Sequence, residues 1–177
     1  MYLIDDTLVL RAIEKEDNGL LKEMINNPEI EKMVVGWSFP ASDMRQDKWY
    51  ENTIFNNGEV KYIIEYNGVA VGMAAITRID FKNSTANIDI KIANEENKKQ
   101  GIGYRTVSLL KKYSFEELNL HCLTASILEE NIASRKLFEK SGFVLEGKRR
   151  NRVYKAGTYH NLYDYSILKD EYVGCMK

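Results

Sequence analysis

The sequence predicts an α/β (α+β) fold, with a sheet of about seven strands flanked by helices, in one domain that spans residues 1–177. Two observations support this prediction. Segments with an apolar period of two alternate along the chain with segments of helical period. The length of 177 residues suits one hydrophobic core, and neither a repeat nor a linker divides it. The predicted order is strand, two or three helices, hairpin, strand, helix, strand, helix and two final strands.

The N-terminal part carries the first strand and the first helices. Apolar residues alternate in TLVLRAI, which is typical of a strand, and the EKED that follows suits entry into a helix carrying LLKEMI. Asn27 and Pro28 predict the start of a second helix, because Asn caps exposed N–H groups and Pro has no N–H to leave unpaired.

A third helix and a hairpin follow. Ser42 or Asp43 can cap the helix, which is expected to end near Gly58. Two strand-like runs then flank Asn67 and Gly68, the pair preferred in a two-residue type I′ turn, since both turn positions need a positive φ. We therefore expect the two runs to form an antiparallel hairpin.

Strands and helices alternate in the second half of the chain. Apolar and polar residues alternate across residues 86–92, which predicts a strand with one apolar and one polar face. A helix is expected from about Gly103 to Leu118, and CLTASIL is typical of the next strand.

One more helix and two strands complete the predicted order. Asn131 can cap this helix, and Gly142 follows its last turn, where a left-handed residue is favoured. FVLEGK and YHNLYDYSIL form the final strands. The basic residues of 148–152 are expected in the turn between them.

The composition argues against several classes of function. With 25 Lys and Arg against 26 Asp and Glu, the net charge is −1, so no overall field attracts nucleic acid or an anionic membrane. The longest nearly uninterrupted apolar stretch, Val69 to Ile76, is far shorter than the ~20 residues that cross a bilayer. Cys122 and Cys175 form no CxxC pair, and the N-terminus lacks a secretory pattern, so a cytoplasmic location is expected. The two histidines have no partners at ligand spacing, so no metal site is expected.

The clearest chemical signal runs from Lys98 to Gly103. Gly101 and Gly103 lie where a loop enters a helix, so the backbone can approach a ligand without a Cβ in the way. The free N–H groups of the helix start, its dipole and the charges of Lys98 and Lys99 together favour a diphosphate. A glycine pair at a helix start also occurs in a plain tight turn.

Two nucleotide-binding patterns do not fit this segment. A Walker loop needs Gly-Lys followed by Ser or Thr, which GIGYRT lacks. A Rossmann fingerprint needs a third glycine where the chain has Thr106. Neither class of nucleotide-binding protein is therefore expected.

The block around this helix start resembles the GNAT superfamily of acetyltransferases. The resemblance lies in KKQGIG and ENIASRKLFEKSGFVLEG, is most specific over residues 86–147, and extends to nearly the whole chain. Within the superfamily, the chain is similar to the branch of ribosomal-protein N-terminal acetyltransferases and spermidine N-acetyltransferases. The resemblance implies a mixed, mostly antiparallel, twisted sheet with a splayed central strand pair.

The resemblance also implies acetyl-CoA as the cofactor. The family pattern RxxGxG or QxxGxG, which wraps the CoA diphosphate, falls on Lys98 to Tyr104, with lysine in place of the usual Arg or Gln. The strand near Ile90 is expected to splay, so that the pantetheine arm pairs with its backbone and an exposed N–H polarises the thioester carbonyl. The asparagine beside that arm corresponds to Asn131, which a helix N-cap explains equally well. The implied cofactor-binding residues are Ile90, Lys91, Ile92, Lys98, Lys99, Gln100, Gly101, Ile102, Gly103, Tyr104, Asn131, Ser134, Leu137, Phe138 and Lys140, of which Leu137 and Phe138 are also explained by core packing.

The catalytic positions depart from the family pattern. The usual acidic position falls on Asn87, which cannot act as a base, whereas Asp89 on the same face can take the proton through water or be a solvated surface residue. The tyrosine that spermidine acetyltransferases use as general acid corresponds to Phe138. Ser134, one turn earlier, is the candidate acid, unless water protonates the sulfur. Direct attack in a ternary complex, which the family implies, needs no cysteine nucleophile.

The acceptor stays open between a protein N-terminus and a small-molecule amine. Glu23, Glu29 and Glu31 can attract a cationic amine or simply be solvated. The basic residues of 148–152 can select an anionic acceptor, contact the 3′-phosphate of CoA or form a solvated hairpin tip. The sequence thus predicts an N-acetyltransferase for a primary amine, with a noncatalytic acyl-CoA-binding module as the alternative. We expect no nucleic-acid or membrane partner, and a homodimer stays open.

Overall fold

The structure, a computed structural model, describes residues 1–36, 39–56, 58–93, 96 and 100–174. Within this part, eight strands and six α-helices follow one another along the chain. The strands are β1 (Leu3–Asp5), β2 (Leu8–Arg11), β3 (Val60–Tyr66), β4 (Val69–Asp80), β5 (Thr85–Ile92), β6 (Cys122–Leu128), β7 (Val144–Lys155) and β8 (Thr158–Leu168). The helices are α1 (Asn18–Asn26), α2 (Pro28–Met33), α3 (Asp43–Ile54), α4 (Ile102–Lys112), α5 (Ile132–Lys140) and α6 (Lys169–Gly174).

All eight strands form one mixed sheet in the order β1-β2-β3-β4-β5-β6-β8-β7. Neighbouring strands are antiparallel except for β5 and β6, which are parallel. The mostly antiparallel mixed sheet is therefore confirmed, with eight strands instead of about seven. The additional strand is β1, whose three residues are too few to show an alternating pattern.

The predicted turns and caps are present where the local chemistry requires them. Asn67 and Gly68 have φ values of 51° and 76°, as a type I′ turn demands. The side chain of Asn27 accepts the N–H of Glu29 at 2.9 Å, and Pro28 begins α2. Gly142, with φ of 89°, follows the last turn of α5. These features depend on neighbouring residues alone, which is why the sequence predicts them.

The predicted end of the helix that follows the glycine pair is wrong. The helix expected from Gly103 to Leu118 is α-helical only from Ile102 to Lys112, and a π-helical turn covers Tyr113–Glu117. The N–H of Leu118 donates to the carbonyl of Tyr113 in this wider turn. The spacing of apolar residues does not distinguish an α-helical turn from a π-helical turn, because the apolar side of the helix continues almost unchanged from one into the other.

The basic residues of 148–152 lie within β7 and not in a turn between strands. β7 runs to Lys155, and the hairpin tip is Ala156 and Gly157, both with positive φ. The pairing with β8 shifts register between Arg149 and Val153, so the basic segment interrupts the ladder without ending the strand. Charged residues are tolerated here because β7 is an edge of the sheet.

Two apolar clusters cover the two faces of the sheet. The larger one joins α4 and α5 to the strands and includes Val107, Leu110 and Phe138. The smaller one joins α1 to the other face through Leu21 and Met24, with Trp49 of α3 packed against it. No helix among the described residues is long and apolar enough to cross a bilayer.

Candidate functional site

The parallel strands β5 and β6 pair at one end only. Register partners join Thr85 to Cys122, Ala86 to Leu123 and Asn87 to Thr124. Residues 88–92 have no register partner in β6, although β6 continues to pair with β8 as far as Leu128. The splayed strand pair expected from the resemblance is thus present, and it opens a gap in the middle of the sheet.

The direction of the backbone groups of β5 follows from its pairing with β4. The N–H of Ala93 donates to the carbonyl of Val71 at 2.8 Å. In an antiparallel ladder, the residues that bond to one neighbour alternate with those that face the other side. The register with β4 therefore directs the backbone groups of Lys91 and Asp89 to β4. The N–H and C=O groups of Ile90 and Ile92 face the gap.

The N-terminus of α4 lies on the apolar face beside this gap. Gly101 is the N-cap, with a left-handed φ of 75°, and its carbonyl accepts the first intrahelical bond, from the N–H of Arg105, at 3.1 Å. The N–H groups of Ile102, Gly103 and Tyr104 precede that bond and have no acceptor within the helix. A Cβ built on Gly101 meets no atom within 4 Å. The helix start thus offers backbone donors and an open approach for an anion.

Gly103 has a different role from Gly101. It is buried, and a Cβ there would lie 3.1 Å from a Leu137 methyl carbon and 3.8 Å from Cδ1 of Ile92. The glycine thereby lets α4 pack closely against α5 and the end of β5. This contact fixes the helix start beside the two strand residues whose backbone faces the gap.

A cation from α5 reaches the start of α4. The ammonium of Lys140 lies 5.0 Å from the ring centroid of Tyr104, which is an ordinary cation–π distance. Lys98 and Lys99, the cations predicted for this cradle, lie outside the described residues. Gln100 is exposed, and its side chain donates to the carbonyl of Glu96 at 3.1 Å.

The first turn of α5 carries Asn131 and Ser134. The Asn131 side chain caps the helix by accepting the N–H of Ser134 at 3.1 Å, and it donates to the carbonyl of Met33 at 2.9 Å. The cap therefore ties α5 to the last residue of α2. The Ser134 side chain is half-buried. Phe138, further along α5, is only 2% exposed and packs edge-on against Phe143.

The polar face of β5 lies on the opposite side of the sheet from α4. Asn87 accepts the hydroxyl of Thr124 at 2.6 Å, and these two residues form the last register pair before the gap. Asp89 is exposed and accepts the hydroxyl of Thr77 at 3.1 Å. Asp89 is therefore a solvent-accessible carboxylate beside the gap.

Gly72 of β4 is a positioning residue that belongs to none of the motifs recognised in the sequence. A Cβ on Gly72 would overlap the backbone carbonyl of Lys91 and lie 3.1 Å from Cα of Ile92. The glycine therefore allows the end of β5 to approach β4 closely, on the side away from β6. Its signal in the sequence is a glycine inside a strand-like run, which can mark a close backbone approach.

The acidic residues of the N-terminal helices differ in their surroundings. Glu31 is bonded to the ammonium of Lys155, and Glu29 pairs with Lys32 at 2.7 Å. Two of the three carboxylates predicted to attract a cationic amine thus have cationic partners. Glu23 is exposed on α1.

The open helix start, the backbone donors of β5 and the gap together fit an elongated ligand that carries a diphosphate and a thioester arm.

Similarity to known proteins supports the same kind of ligand. A family model described as an acetyltransferase (GNAT) domain matches residues 7–144. A putative ribosomal N-acetyltransferase of Bacillus subtilis is 31% identical, with 97% of this chain and 96% of that protein aligned. Spermidine N(1)-acetyltransferase of Escherichia coli K12 is 26% identical, over 93% of this chain and 87% of that protein.

Solved structures match the whole architecture. Spermidine N-acetyltransferase from Vibrio cholerae, crystallised in complex with CoA and spermine, has a TM-score of 0.88 at 25% identity, over 96% of this chain and 99% of that one. A dodecameric structure of the Vibrio cholerae enzyme has a TM-score of 0.83, over 98% and 100% of the two chains. The chain belongs to the GNAT family and is an N-acetyltransferase that uses acetyl-CoA.

Proposed function

We propose that the protein transfers the acetyl group of acetyl-CoA to a primary amine by direct attack of that amine in a ternary complex. The observation that carries the proposal is the gap between β5 and β6, which opens beside the N-terminus of α4. One side of the gap adjoins the helix start that suits the cofactor. The other side is the polar face of β5, where an amine can approach.

The cofactor would be held largely by backbone groups. The N–H groups of Ile102, Gly103 and Tyr104 would bind the diphosphate, with Lys140 adding positive charge. The backbone of Ile90 and Ile92 would pair with the pantetheine arm. Acetyl-CoA supplies the acetyl group in an activated thioester. An N–H that faces the gap would stabilise negative charge on its carbonyl oxygen.

The surroundings of Cys122 support direct attack over transfer through a cysteine. Its side chain is half-buried, and burial, together with the charges of Glu146 and Glu171, raises the pKa of the thiol. A thiol that resists ionisation is a poor nucleophile. In the direct reaction the N–C bond forms as the C–S bond breaks, and one proton passes from the amine to the sulfur.

Asp89 is the group we propose for taking the proton from the amine, through water. Its carboxylate is exposed on the polar face of β5, two residues from Asn87. Ser134, half-buried in the first turn of α5, is proposed to return a proton to the sulfur. Both assignments rest on position and on the chemistry of the side chains.

The role of Asp89 predicts a specific kinetic defect. Asp89→Asn should lower kcat/KM by about 10²–10⁴-fold and change the pH profile of kcat/KM. The affinity for acetyl-CoA, measured by calorimetry, should stay the same. Thr77→Val is the matched control, since it removes the hydrogen bond to Asp89 but keeps the carboxylate. An unchanged profile and rate in Asp89→Asn would remove Asp89 as the base.

The acceptor is proposed to be a protein N-terminus or a small-molecule amine. A putative ribosomal N-acetyltransferase and a spermidine N(1)-acetyltransferase both align over most of the chain, which supports these two classes. A screen of N-terminal peptides, polyamines, amino sugars and amino acids, read by release of CoA thiol, tests this proposal. We expect release with at least one class of amine. Tight binding of acetyl-CoA without release from any amine would overturn the proposal and indicate a noncatalytic acyl-CoA-binding module.

A further inference from the structure

Lys91 differs from the other polar residues on this face of β5 because no side chain in the described part of the chain pairs with it. Asn87 and Asp89 on the same face each accept a hydrogen bond from a neighbouring strand, from Thr124 and Thr77. The ammonium of Lys91 has neither a hydrogen bond nor an ion pair with any residue in the described part of the chain. Its side chain is nevertheless half-buried.

The surroundings of this ammonium are unfavourable for a cation. Burial removes water from the Lys91 side chain and lowers its pKa, an effect that the charge of Lys61 reinforces and the charge of Asp89 opposes. Lys61 is itself satisfied, because it pairs with Glu59 at 2.6 Å and lies 5.5 Å from the ring centroid of Trp49. Lys91 is therefore the cation on this face that lacks a counter-ion among the described residues.

Lys91 also lies at a suitable distance from the proposed base. Residues two apart on a strand point to the same face and are about 6.6 Å apart. An acceptor whose amine lies at Asp89 would thus place its next few atoms near Lys91. A second ammonium at that place would meet like charge from Lys91 and Lys61, whereas a carboxylate would supply a counter-ion that Lys91 lacks among the described residues.

We propose that Lys91 determines acceptor specificity by binding a carboxylate of the acceptor, so that the preferred substrate is a primary amine that also carries a carboxylate. This inference rests on the proposed transfer of acetyl to an amine. It separates the chain from enzymes whose acceptor is a polycation. The half-buried position makes the contact strong, because a charge pair is screened less there than at the surface.

Matched acceptors test the inference directly. One series would compare an amino acid, its amide and the corresponding diamine, each with a carbon chain of two to six atoms. A second series would compare a peptide that begins with Glu with one that begins with Gln. Wild-type protein should favour the acid over the amide by about tenfold or more in kcat/KM, chiefly through KM, and should use the diamine least.

Variants separate the role of Lys91 from a structural one. Lys91→Met, which keeps the length and apolar stem of the side chain, should bring the acid-to-amide ratio close to one, and Lys91→Arg should restore part of the preference. Lys61→Met is the matched control and should leave the ratio intact, because Lys61 already has Glu59 as partner.

The possible failures are distinguishable. If wild-type protein releases thiol with amides or diamines as fast as with acids, or if Lys91→Met keeps the acid preference, the specificity role is overturned while the proposed function stands. If no amine of any kind gives thiol release, the proposed function fails, and the role of Lys91 fails with it.

Discussion

At the scale of single residues, the close approach of two backbones decides where β5 lies. Gly72 has no side chain where a Cβ would meet the Lys91 carbonyl and Cα of Ile92. The backbone groups of Ile92 that face the gap are thus held by contacts on the opposite side of the strand. A methyl group at Gly72 would push the end of β5 away from β4 and toward β6.

Gly72→Ala is therefore expected to weaken acetyl-CoA binding by about tenfold or more and to lower the free energy of unfolding by about 1–3 kcal/mol, the usual range for overpacking. Calorimetry and denaturant unfolding measure the two effects. Gly19→Ala is the matched control, since a Cβ there meets no atom within 4 Å. Equal behaviour of the two variants would contradict the role given to Gly72.

Gly101 and Gly103 differ in how far the sequence predicts their roles. A glycine pair before an apolar helix is a local pattern, and it predicts Gly101 at the helix start. This local pattern does not distinguish the role of Gly101 from that of Gly103. Gly103 packs against Leu137, which belongs to a later helix, Ile132–Lys140. The resemblance places Phe138 beside the cofactor, whereas the structure buries its side chain in the core.

At the scale of elements, α2 and the residues just after it are attached to the C-terminal half of the sheet. The ammonium of Lys155 in β7 donates to the carbonyls of Glu31 and Gly36, at 2.9 Å and 3.0 Å, and to the Glu31 carboxylate. Asn131 holds the carbonyl of Met33. The end of α2 is thereby joined to the cap of α5, one of the elements that border the proposed cofactor site.

His160 in β8 makes this attachment sensitive to pH. Its Nδ1 lies 2.6 Å from the Glu130 carboxylate and its Nε2 lies 3.2 Å from the Lys155 carbonyl, so both ring nitrogens face acceptors. The Glu130 hydrogen bond is the main cause that raises the pKa of His160 above its ordinary value of 6.5, and the charge of Lys155 opposes it. The protonated ring satisfies both acceptors.

The raised pKa sets the sign of the effect on stability. The contribution of protonated His160 to the free energy of unfolding is complete below the pKa that His160 has in the unfolded state. It is lost as the pH rises through the higher pKa of His160 in the folded state. Wild-type protein should therefore lose Tm relative to His160→Gln as the pH rises above about 6.5, by a few degrees at most for an exposed pair. Thermal scans at several pH values measure this, and Glu130→Gln should remove the same dependence. Parallel Tm curves for wild type and His160→Gln would refute it.

At the scale of the whole molecule, the site occupies the one parallel junction of the described sheet. Antiparallel pairing is continuous from β1 to β5 and again from β6 through β8 to β7. β5 and β6 share only three register pairs, so the two parts can diverge without breaking any other pairing. The helices α4 and α5, which contact each other, cover the apolar face at this divergence.

Features that depend on near neighbours are predictable from the sequence: the alternation of β5, the type I′ turn at Asn67 and Gly68, and the caps at Asn27 and Asn131. Each arises from steric or hydrogen-bonding preferences within a few residues. Tertiary structure alone decided that β5 leaves β6 after Asn87, and that Lys91 is half-buried without a partner in the described residues. The physical reason is that strand divergence and burial depend on contacts between segments far apart in the chain, which no local pattern specifies.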